Sequence, residues 1–261
     1  MKKLLTLVTV TAMLVSLLLM SGCGEEEQDS LTRVKDKGEI SFAMSGGYPP
    51  FNFYNEENEL VGFDVDVGKA VAERLDVEFK PVTTEWSGII EGLRSGAYDG
   101  ILGSMAVTPD REKVVDFSTP YYYSGAQLVV RNDSDFSSPD DLEGKIIGVV
   151  TGTTFEDDAE KLGAGKVNLY KDDTQTLTEL NNEVVDAVIT DRVVGVNAMN
   201  SGKFEIELLG TPLRSEDIAV AFRKDEDTLR DEVDSILEDM HADGTLTEIS
   251  RRWLNVDVTK K

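Results

Sequence analysis

Apolar residues recur along the chain in short runs whose spacing alternates between that of strands and that of helices. Residues 40–44 form a mostly apolar run typical of a buried strand, and residues 64–75 place Val67, Val71 and Leu75 on one helical face. The same alternation predicts strands at 77–82, 98–103, 146–150, 167–170, 187–190 and 218–222, and helices at 89–94, after Thr154, at 177–181 and at 229–240. Alternating strands and helices favour parallel sheets covered by helices, so the predicted fold class is α/β.

The alternation begins again at Gly144, which predicts two α/β lobes rather than one. The strand at 218–222 and the helices after it follow the second lobe, so we expect the chain to return there to the first lobe. Crossings near 127–131 and 217–222 would make a two-segment hinge above a cleft. The predicted lobes are residues 33–130 with 217–258, and residues 131–216.

The first 22 residues have the composition of a secretory signal peptide. Two lysines precede an apolar stretch at 4–20, and two small residues come directly before Cys23, the only cysteine. This setting resembles a bacterial lipobox, with Met20 where that motif usually has leucine. The alternative is a transmembrane anchor, for which the stretch is marginal in length. We therefore expect a signal peptide at 1–22 and lipidation of Cys23, which would hold the protein outside the cytoplasmic membrane, at the periplasmic face in a Gram-negative host.

An excess of acidic residues excludes some partners. The 261 residues contain 50 Asp and Glu against 26 Lys and Arg, a formal net charge of -24, which would repel nucleic acid. One histidine and one cysteine cannot build a metal site from such ligands, so we expect neither a metal nor a cofactor. Residues 23–32 are predicted to be an acidic tether, disordered at least through residue 30 because nothing there can be buried.

Three predicted strands end in residues suited to a zwitterion. The strand at 98–103 leads to Arg111, the strand at 146–150 to a helix start at Thr154, and the strand at 187–190 to Asp191. Ligands bind beyond the carboxyl ends of parallel strands. An arginine can hold a carboxylate with two hydrogen bonds, helix-start amides add donors, and an aspartate accepts from an ammonium group. Each residue also has a purely structural interpretation, as a surface ion-pair residue, a helix cap or a turn residue.

Six short segments stand in the order and spacing of one protein family. They are Tyr48-Pro49-Pro50-Phe51, Leu60-Val61-Gly62-Phe63-Asp64-Val65-Asp66, Thr108-Pro109-Asp110-Arg111, Val115-Asp116-Phe117-Ser118-Thr119-Pro120-Tyr121-Tyr122, Gly152-Thr153-Thr154 and Ala242-Asp243-Gly244-Thr245. Over residues 33–258 the chain resembles the family 3 solute-binding proteins, receptors of polar amino acid ABC importers. The resemblance implies a periplasmic-binding-protein-like type II fold, an amino acid ligand, an ABC transporter permease as partner and no enzymatic activity, and we expect a monomer.

The resemblance also implies roles for individual residues. Arg111 would bind the ligand's α-carboxylate, helped by the backbone amides of Ala106 and Thr154. Asp191 and the carbonyl of Ser104 would accept hydrogen bonds from the α-ammonium group. Ala106 departs from the family, which usually has threonine or serine there, because it keeps the amide and lacks the hydroxyl.

The ligand's side chain is predicted less sharply. Tyr48 and Trp86 match aromatic walls that enclose it in the family. The positions that vary with side-chain preference are Ser45, Val150, Thr151 and Thr190. No acid stands at residue 45, so a strongly cationic side chain has no obvious counter-charge, and a neutral polar one is favoured. The ending at 253–260 resembles that of cystine-binding members, which makes cystine a candidate.

Two other function classes stay open. One is an enzyme on the same scaffold, such as a cyclohexadienyl dehydratase-like lyase, which needs a general acid or base in the cleft. Glu156 and Asp157 follow a predicted helix start, but no nucleophile–base pair is evident. The other is a sensor module that presents its bound ligand to a receptor kinase.

Overall fold

The computed structural model describes residues 28–224 and 226–261. The strands in this part are β1 (Glu39–Met44), β2 (Gly47–Tyr48), β3 (Asn52–Tyr54), β4 (Leu60–Val61), β5 (Glu78–Thr83), β6 (Gly100–Ala106), β7 (Val115–Phe117), β8 (Tyr122–Arg131), β9 (Ile146–Val150), β10 (Lys166–Tyr170), β11 (Ala187–Asp191) and β12 (Ile206–Arg223). The helices are α1 (Ser30–Lys37), α2 (Phe63–Leu75), α3 (Ile89–Arg94), α4 (Phe155–Lys161), α5 (Asp173–Asn181), α6 (Arg192–Asn200), α7 (Asp227–Ala242) and α8 (Thr245–Leu254).

A continuous sheet runs through both lobes in the order β10-β9-β11-β8-β12-β6-β1-β5, with β7 paired to β12. At one end β5, β1 and β6 are parallel, and at the other end β10, β9 and β11 are parallel. The antiparallel pair of β8 and β12 joins the two parallel groups. The predicted pair of parallel α/β units is therefore present, and the larger and the smaller lobe are linked by two long strands.

The lobes meet a few residues earlier along each strand than the sequence predicts. Ala126–Val130 of β8 already pair with β11 in the smaller lobe, and Ile218–Ala221 of β12 pair with β6 in the larger one. Between these regions, 123–125 and 215–217 pair with each other. The expected crossings at 127–131 and 217–222 are thus corrected to these segments. The pattern of apolar residues cannot reveal this shift, because it is the same on both sides of the crossing.

An aromatic cluster forms the core of the larger lobe beneath the crossing. Phe51, Phe63, Tyr121 and Tyr122 are fully buried, and Phe51 stacks on Tyr122 with ring centroids 5.0 Å apart. Helices α7 and α8 pack on α2, so the C-terminal helices return to this lobe as predicted. The smaller lobe has separate apolar clusters on the two faces of its sheet.

The first described helix begins before the end of the predicted tether. Helix α1 starts at Ser30, and Asp29 caps it by accepting a hydrogen bond from the amide of Thr32 at 3.1 Å. Ser30 is buried against α7, where its hydroxyl lies 3.0 Å from that of Thr228. The expectation of a tether through residue 32 is therefore wrong for residues 29–32, because a cap and a tertiary contact order them. In the part of the chain described, no helix is both long and apolar enough to cross a membrane.

Candidate functional site

A cleft opens where the two parallel groups of strands point their carboxyl ends toward each other. It encloses about 560 Å³ of space not filled by atoms, part of it open to solvent. Residues that follow β1 and β5 and residues in or after β6 form the wall on the larger lobe. Residues at or after the ends of β9, β10 and β11 form the opposite wall. This is the position at which open parallel sheets bind their ligands.

Most residues singled out from the sequence line this cleft. They are Ser45, Tyr48, Trp86, Ser104, Ala106, Arg111, Val150, Thr154 and Asp191. Thr151 does not line the cavity, and its hydroxyl donates to the carbonyl of Tyr170 at 3.1 Å. Thr190 is buried behind the wall, where its hydroxyl donates to Asp173.

Arg111 lies on the larger lobe in a short turn after β6. Its Nη1 donates to the carbonyl of Ala106 at 2.9 Å, and its Nη2 lies 3.5 Å from the carbonyl of Gly152 on the smaller lobe. The guanidinium carbon is 5.7 Å from the ring centroid of Trp86. Burial lowers the pKa of Arg111, but a guanidinium stays charged at any ordinary pH. The side chain is thus a fixed cation at the cleft wall.

Two aromatic side chains frame the larger lobe's wall. The indole Nε1 of Trp86 donates to the carbonyl of Gly152 across the cleft at 3.3 Å. Tyr48 stacks on Phe51 with centroids 5.3 Å apart, and burial raises its pKa well above the usual value. Both rings are partly buried, which fits walls of a site better than core residues.

Asp191 lies at the end of β11 on the smaller lobe and is 1% exposed. Its Oδ1 accepts from the amide of Val193 at 2.6 Å, so it caps α6. Burial raises its pKa to about 7, and the negative charge of Glu216 acts in the same direction. Asp191 is therefore both a helix cap and a residue of the cleft wall.

Four charged residues of the cleft were not predicted from the sequence. They are Lys171, Asp172, Asp173 and Glu216. Asp173 is 6% exposed, and burial raises its pKa to about 7 even though it accepts a hydrogen bond from Thr190. The strand-end rule that identified Asp191 would have found Asp172 and Asp173, which come soon after β10.

Glu216 comes from the crossing segment of β12 and is held by neighbours on the smaller lobe. It accepts from Arg214 Nη1 at 2.8 Å and from the hydroxyl of Thr154 at 3.1 Å. Arg214 also donates to the carboxylate of Asp158 through Nε, at 2.9 and 3.1 Å. This network fixes Thr154 at the start of α4, so the hydroxyl of Thr154 is already engaged and its backbone is the part left for a ligand.

The cleft is rich in carboxylates. Asp172, Asp173, Asp191 and Glu216 face a space that also contains the cations of Arg111 and Lys171. Among residues 28–224 and 226–261, no group of three His, Cys, Asp or Glu side chains is placed to hold a metal ion. The arrangement suits a ligand that carries charges of both signs.

Comparison with known proteins agrees with this geometry. The model of bacterial extracellular solute-binding proteins, family 3, matches residues 40–256. The chain is 32% identical over 237 residues to the L-cystine-binding protein TcyJ of Escherichia coli K12, covering 90% of this chain and 89% of that protein. It is 33% identical over 257 residues to the probable amino-acid-binding protein YxeM of Bacillus subtilis, covering 96% of each.

Solved structures share the fold. The P235GK mutant of ArgBP from T. maritima superposes with a TM-score of 0.82 at 32% identity, covering 87% of this chain and 99% of that one. The ancestral amino acid-binding protein AncCDT-1, a precursor of cyclohexadienyl dehydratase, superposes with a TM-score of 0.82 at 29% identity. The match covers 86% of this chain and 99% of that one. The predicted two-lobed fold is thereby confirmed, and the chain belongs to the bacterial extracellular solute-binding proteins, family 3.

Proposed function

We propose that this protein binds an amino acid outside the cell and delivers it to the permease of an ABC importer. The observation that carries the proposal is the placement of Arg111 and Asp191 on opposite walls of one cleft. A carboxylate and an ammonium group on the same carbon require a cation and an anion on either side of them. Relatives named for binding cystine, glutamine and arginine support the same ligand class.

In this proposal the α-groups of the ligand bridge the two lobes. Arg111 and the amides of Ala106 and Thr154 bind the α-carboxylate, and Asp191 and the carbonyl of Ser104 accept from the α-ammonium group. Each hydrogen bond to a charged group contributes about 1.5–3 kcal/mol. Several such bonds, less the cost of ordering, reach the ~8–12 kcal/mol of a micromolar to nanomolar site.

The charge of the cleft suggests a ligand with a second positive group. Asp172 and Asp173 remain when Asp191 is assigned to the α-ammonium, whereas Glu216 is already paired with Arg214 at 2.8 Å. Lys171 is the cation of the same wall. We therefore favour a basic amino acid or cystine, which has two ammonium groups, over a neutral polar amino acid. This revises the expectation drawn from Ser45, since the counter-charge comes from the smaller lobe.

A thermal-shift screen of the standard amino acids and L-cystine tests the proposal. A ligand at about 100 times its Kd stabilises the fold by about 2.7 kcal/mol, or roughly 5–10 °C in Tm for a protein of this size. We expect L-arginine, L-lysine or L-cystine to give the largest shift. If no amino acid shifts Tm, the proposed function is contradicted. If L-glutamine gives the largest shift, only the preference for a ligand with a second positive group is contradicted.

Delivery requires the two lobes to close on the ligand. Trp86 and Arg111 already contact Gly152 across the cleft, and a ligand touching both walls favours the form in which all contacts are made. Moving from mostly open to mostly closed takes about 10⁴-fold preference, or about 5.5 kcal/mol. Small-angle scattering tests this, with a smaller radius of gyration expected at saturation. An unchanged radius, with the free protein shown to be open, would contradict closure.

A lyase activity is the second candidate, and one observation favours it. Asp173 and Asp191 have pKa values of about 7, the range in which a carboxyl group can act as general acid near neutral pH. AncCDT-1 is itself an amino acid-binding precursor of a dehydratase. We propose that the chain is not an enzyme. Incubation with prephenate and with L-arogenate, followed by product analysis, separates the two functions, because a binder leaves both compounds unchanged.

We also propose that Cys23 carries the lipid that holds the protein at the outer side of the membrane. Signal peptide, cleavage site and Cys23 lie outside the described residues, so the support is the sequence pattern and the extracellular family. Metabolic labelling with a fatty acid analogue should mark the wild type and leave Cys23→Ala unlabelled. Equal labelling of both would contradict the lipid anchor.

A further inference from the structure

A buried carboxylate lies directly behind the larger lobe's wall of the cleft. Asp64 is in the first turn of α2 and is 0% exposed, and it is not among the cavity-lining residues. Its Oδ2 accepts from Asn52 Nδ2 at 2.7 Å and from the hydroxyl of Ser104 at 2.9 Å, and its Oδ1 accepts from the hydroxyl of Tyr121 at 2.7 Å. Burial raises the pKa of Asp64 to about 6, while the three hydrogen bonds act in the opposite direction.

One branch of this network ends at the backbone of Ser104. The hydroxyl of Tyr121 donates to Asp64 and at the same time accepts from the amide of Ser104 at 3.0 Å. An ionised carboxylate has only acceptors, so Asp64 dictates the direction in which the tyrosine hydroxyl points its proton. Ser104 has φ of +62°, a left-handed conformation that is unfavourable for a residue with a side chain. Two hydrogen bonds that depend on Asp64 thus hold Ser104 in a strained conformation at the cleft.

The other branch ends at the turn after β1. Since Nδ2 of Asn52 donates to Asp64, the amide group is oriented with Oδ1 toward the turn. Oδ1 accepts from the amide of Gly46 at 2.9 Å and from the hydroxyl of Ser45 at 3.1 Å. Gly46 has φ of +73°, and its neighbours Ser45 and Gly47 line the cleft. The turn therefore owes its position to the same carboxylate.

We propose that Asp64 is a positioning residue of the binding site, which holds Ser104 and the turn at 45–47 in the conformation that receives the ligand. It acts through Tyr121 and Asn52 and does not touch the ligand itself. The inference rests on the proposed function only for the identity of the ligand, because every hydrogen bond of the network lies within the protein.

Asp64→Asn is the central test, because it keeps the shape of the side chain and replaces one acceptor by a donor. An NH₂ group cannot accept, so at least one of the hydrogen bonds that Asp64 receives must be lost or must reverse its direction. With L-arginine, L-glutamine and L-cystine as probes in calorimetry, we expect the affinity for whichever of them wild type binds to fall at least tenfold. Asp66→Asn is the matched control on the same helix. Asp66 accepts from Trp253 Nε1 at 2.8 Å and does not line the cleft. The affinity of the Asp66→Asn protein for the ligand should therefore stay within about twofold of wild type.

Hydrogen exchange of the ligand-free protein distinguishes failure of this inference from failure of the proposed function. Exchange of the Ser104 and Gly46 amides should speed up at least tenfold in Asp64→Asn and stay unchanged in Asp66→Asn. If exchange behaves so and wild type binds none of the probes, the positioning role stands and the proposed function fails.

Two further variants keep the inference testable if Asp64→Asn does not fold. Tyr121→Phe removes the hydrogen bond from the Ser104 amide and leaves the one from the Ser104 hydroxyl to Asp64, and Asn52→Ala cuts the second branch. Each should weaken binding and speed up exchange in its own segment only. Wild-type exchange at both segments in folded Asp64→Asn, or in both single-branch variants, would overturn the positioning role. Equal losses of affinity and of exchange protection in Asp66→Asn would also overturn it, because they would show that the substitutions act through lower overall stability.

Discussion

The two walls of the cleft are built in different ways. The wall on the larger lobe carries the fixed cation of Arg111 and the rings of Tyr48 and Trp86, and a buried network around Asp64 supports it. The wall on the smaller lobe carries most of the carboxylates, and Asp173 and Asp191 are so poorly solvated that their pKa values rise to about 7. One wall is organised before the ligand arrives. On the other, the buried carboxylates of Asp173 and Asp191 are held by hydrogen bonds from the Thr190 hydroxyl and the Val193 amide.

This difference explains how a ligand can drive closure. Cation and anions lie on separate bodies, so a zwitterion meets both only when the lobes come together. A buried carboxylate without a cation is costly, and a ligand ammonium group removes that cost. The smaller lobe therefore gains more from the bound ligand than the larger lobe, whose geometry is already fixed.

Of the substitutions considered, Arg111→Ala should lower the affinity for the ligand most. Loss of a bidentate contact made of two charged hydrogen bonds, at about 1.5–3 kcal/mol each, predicts a fall in affinity of roughly 10²–10⁴-fold. Calorimetry measures it, and Tm should stay close to that of wild type because Arg111 contacts backbone carbonyls at the cleft rather than the core. A folded Arg111→Ala protein with wild-type affinity would refute the assignment of the carboxylate site.

Asp191→Asn should come next and should separate binding from stability. Asparagine caps helices as well as aspartate does, so the hydrogen bond to Val193 can be kept. Removal of the charge should lower the affinity for an α-amino acid by roughly 10–100-fold. Tm should stay equal or rise, because a neutral side chain replaces a poorly solvated one. A large fall in Tm with unchanged affinity would make Asp191 a structural residue.

The ligand-free protein should lose stability as the pH rises from 5 to 8. The folded-state pKa values of Asp64, Asp173 and Asp191 are about 6, 7 and 7, against the ordinary 3.8. In this window the folded state binds more protons than the unfolded state, so the free energy of unfolding falls with pH. Raised pKa values of this size correspond to a loss of about 6–7 kcal/mol across this window, which predicts a fall in Tm of roughly 13–26 °C.

A double variant checks which wall causes this pH dependence. Asp173→Asn with Asp191→Asn should flatten most of it, and a saturating cationic ligand should do the same by holding both carboxylates ionised. Carboxyl groups with depressed pKa values, such as Asp29 and Asp243 at about 2, change stability only at lower pH and do not interfere. A Tm that rises between pH 5 and 8 would contradict the poor solvation of the smaller lobe's wall.

The ion pair at the mouth of the cleft should matter least. Lys171 Nζ on the smaller lobe lies 3.2 Å from Glu85 Oε1 on the larger one, and both side chains are more than 60% exposed. Exposed pairs contribute about 0–1 kcal/mol, so Lys171→Ala should change affinity by no more than about fivefold. High salt should weaken binding by wild type slightly more than binding by the variant, because it also screens this exposed pair. An effect as large as that of Asp191→Asn would mean that Lys171 binds the ligand directly.

Much of the fold could be predicted from the pattern of apolar residues. The helix predicted at 64–75 is α2 (Phe63–Leu75), because an amphipathic stripe marks a helix whatever packs against it. Local patterns did not identify the small sheet of β2, β3 and β4 or helix α6, since short strands and weakly amphipathic helices have little periodicity. The register of β8 and β12 was also missed, because pairing partners are chosen by residues distant in the chain.

Part of the site could be predicted in the same way. Arg111 and Asp191 each follow the end of a predicted strand, and the resemblance to a family assigned them to opposite ends of one ligand. Glu216 could not be found by that rule, because it lies inside a long strand and reaches the cleft only where the two lobes meet. The resemblance to the family placed Thr151 in the site, and in the structure its hydroxyl donates to the carbonyl of Tyr170.

The sequence by itself determined that two α/β lobes exist, that their strand ends carry opposite charges and that the chain leaves and re-enters the first lobe. The tertiary structure alone decided where the lobes cross, which carboxylates face the ligand and that Asp64 lies behind Ser104. The physical reason is the range of the interactions. Periodicity and the residue types at strand ends depend on residues that are close in the sequence. Burial, pKa shifts and hydrogen-bond networks depend on residues that only folding brings together.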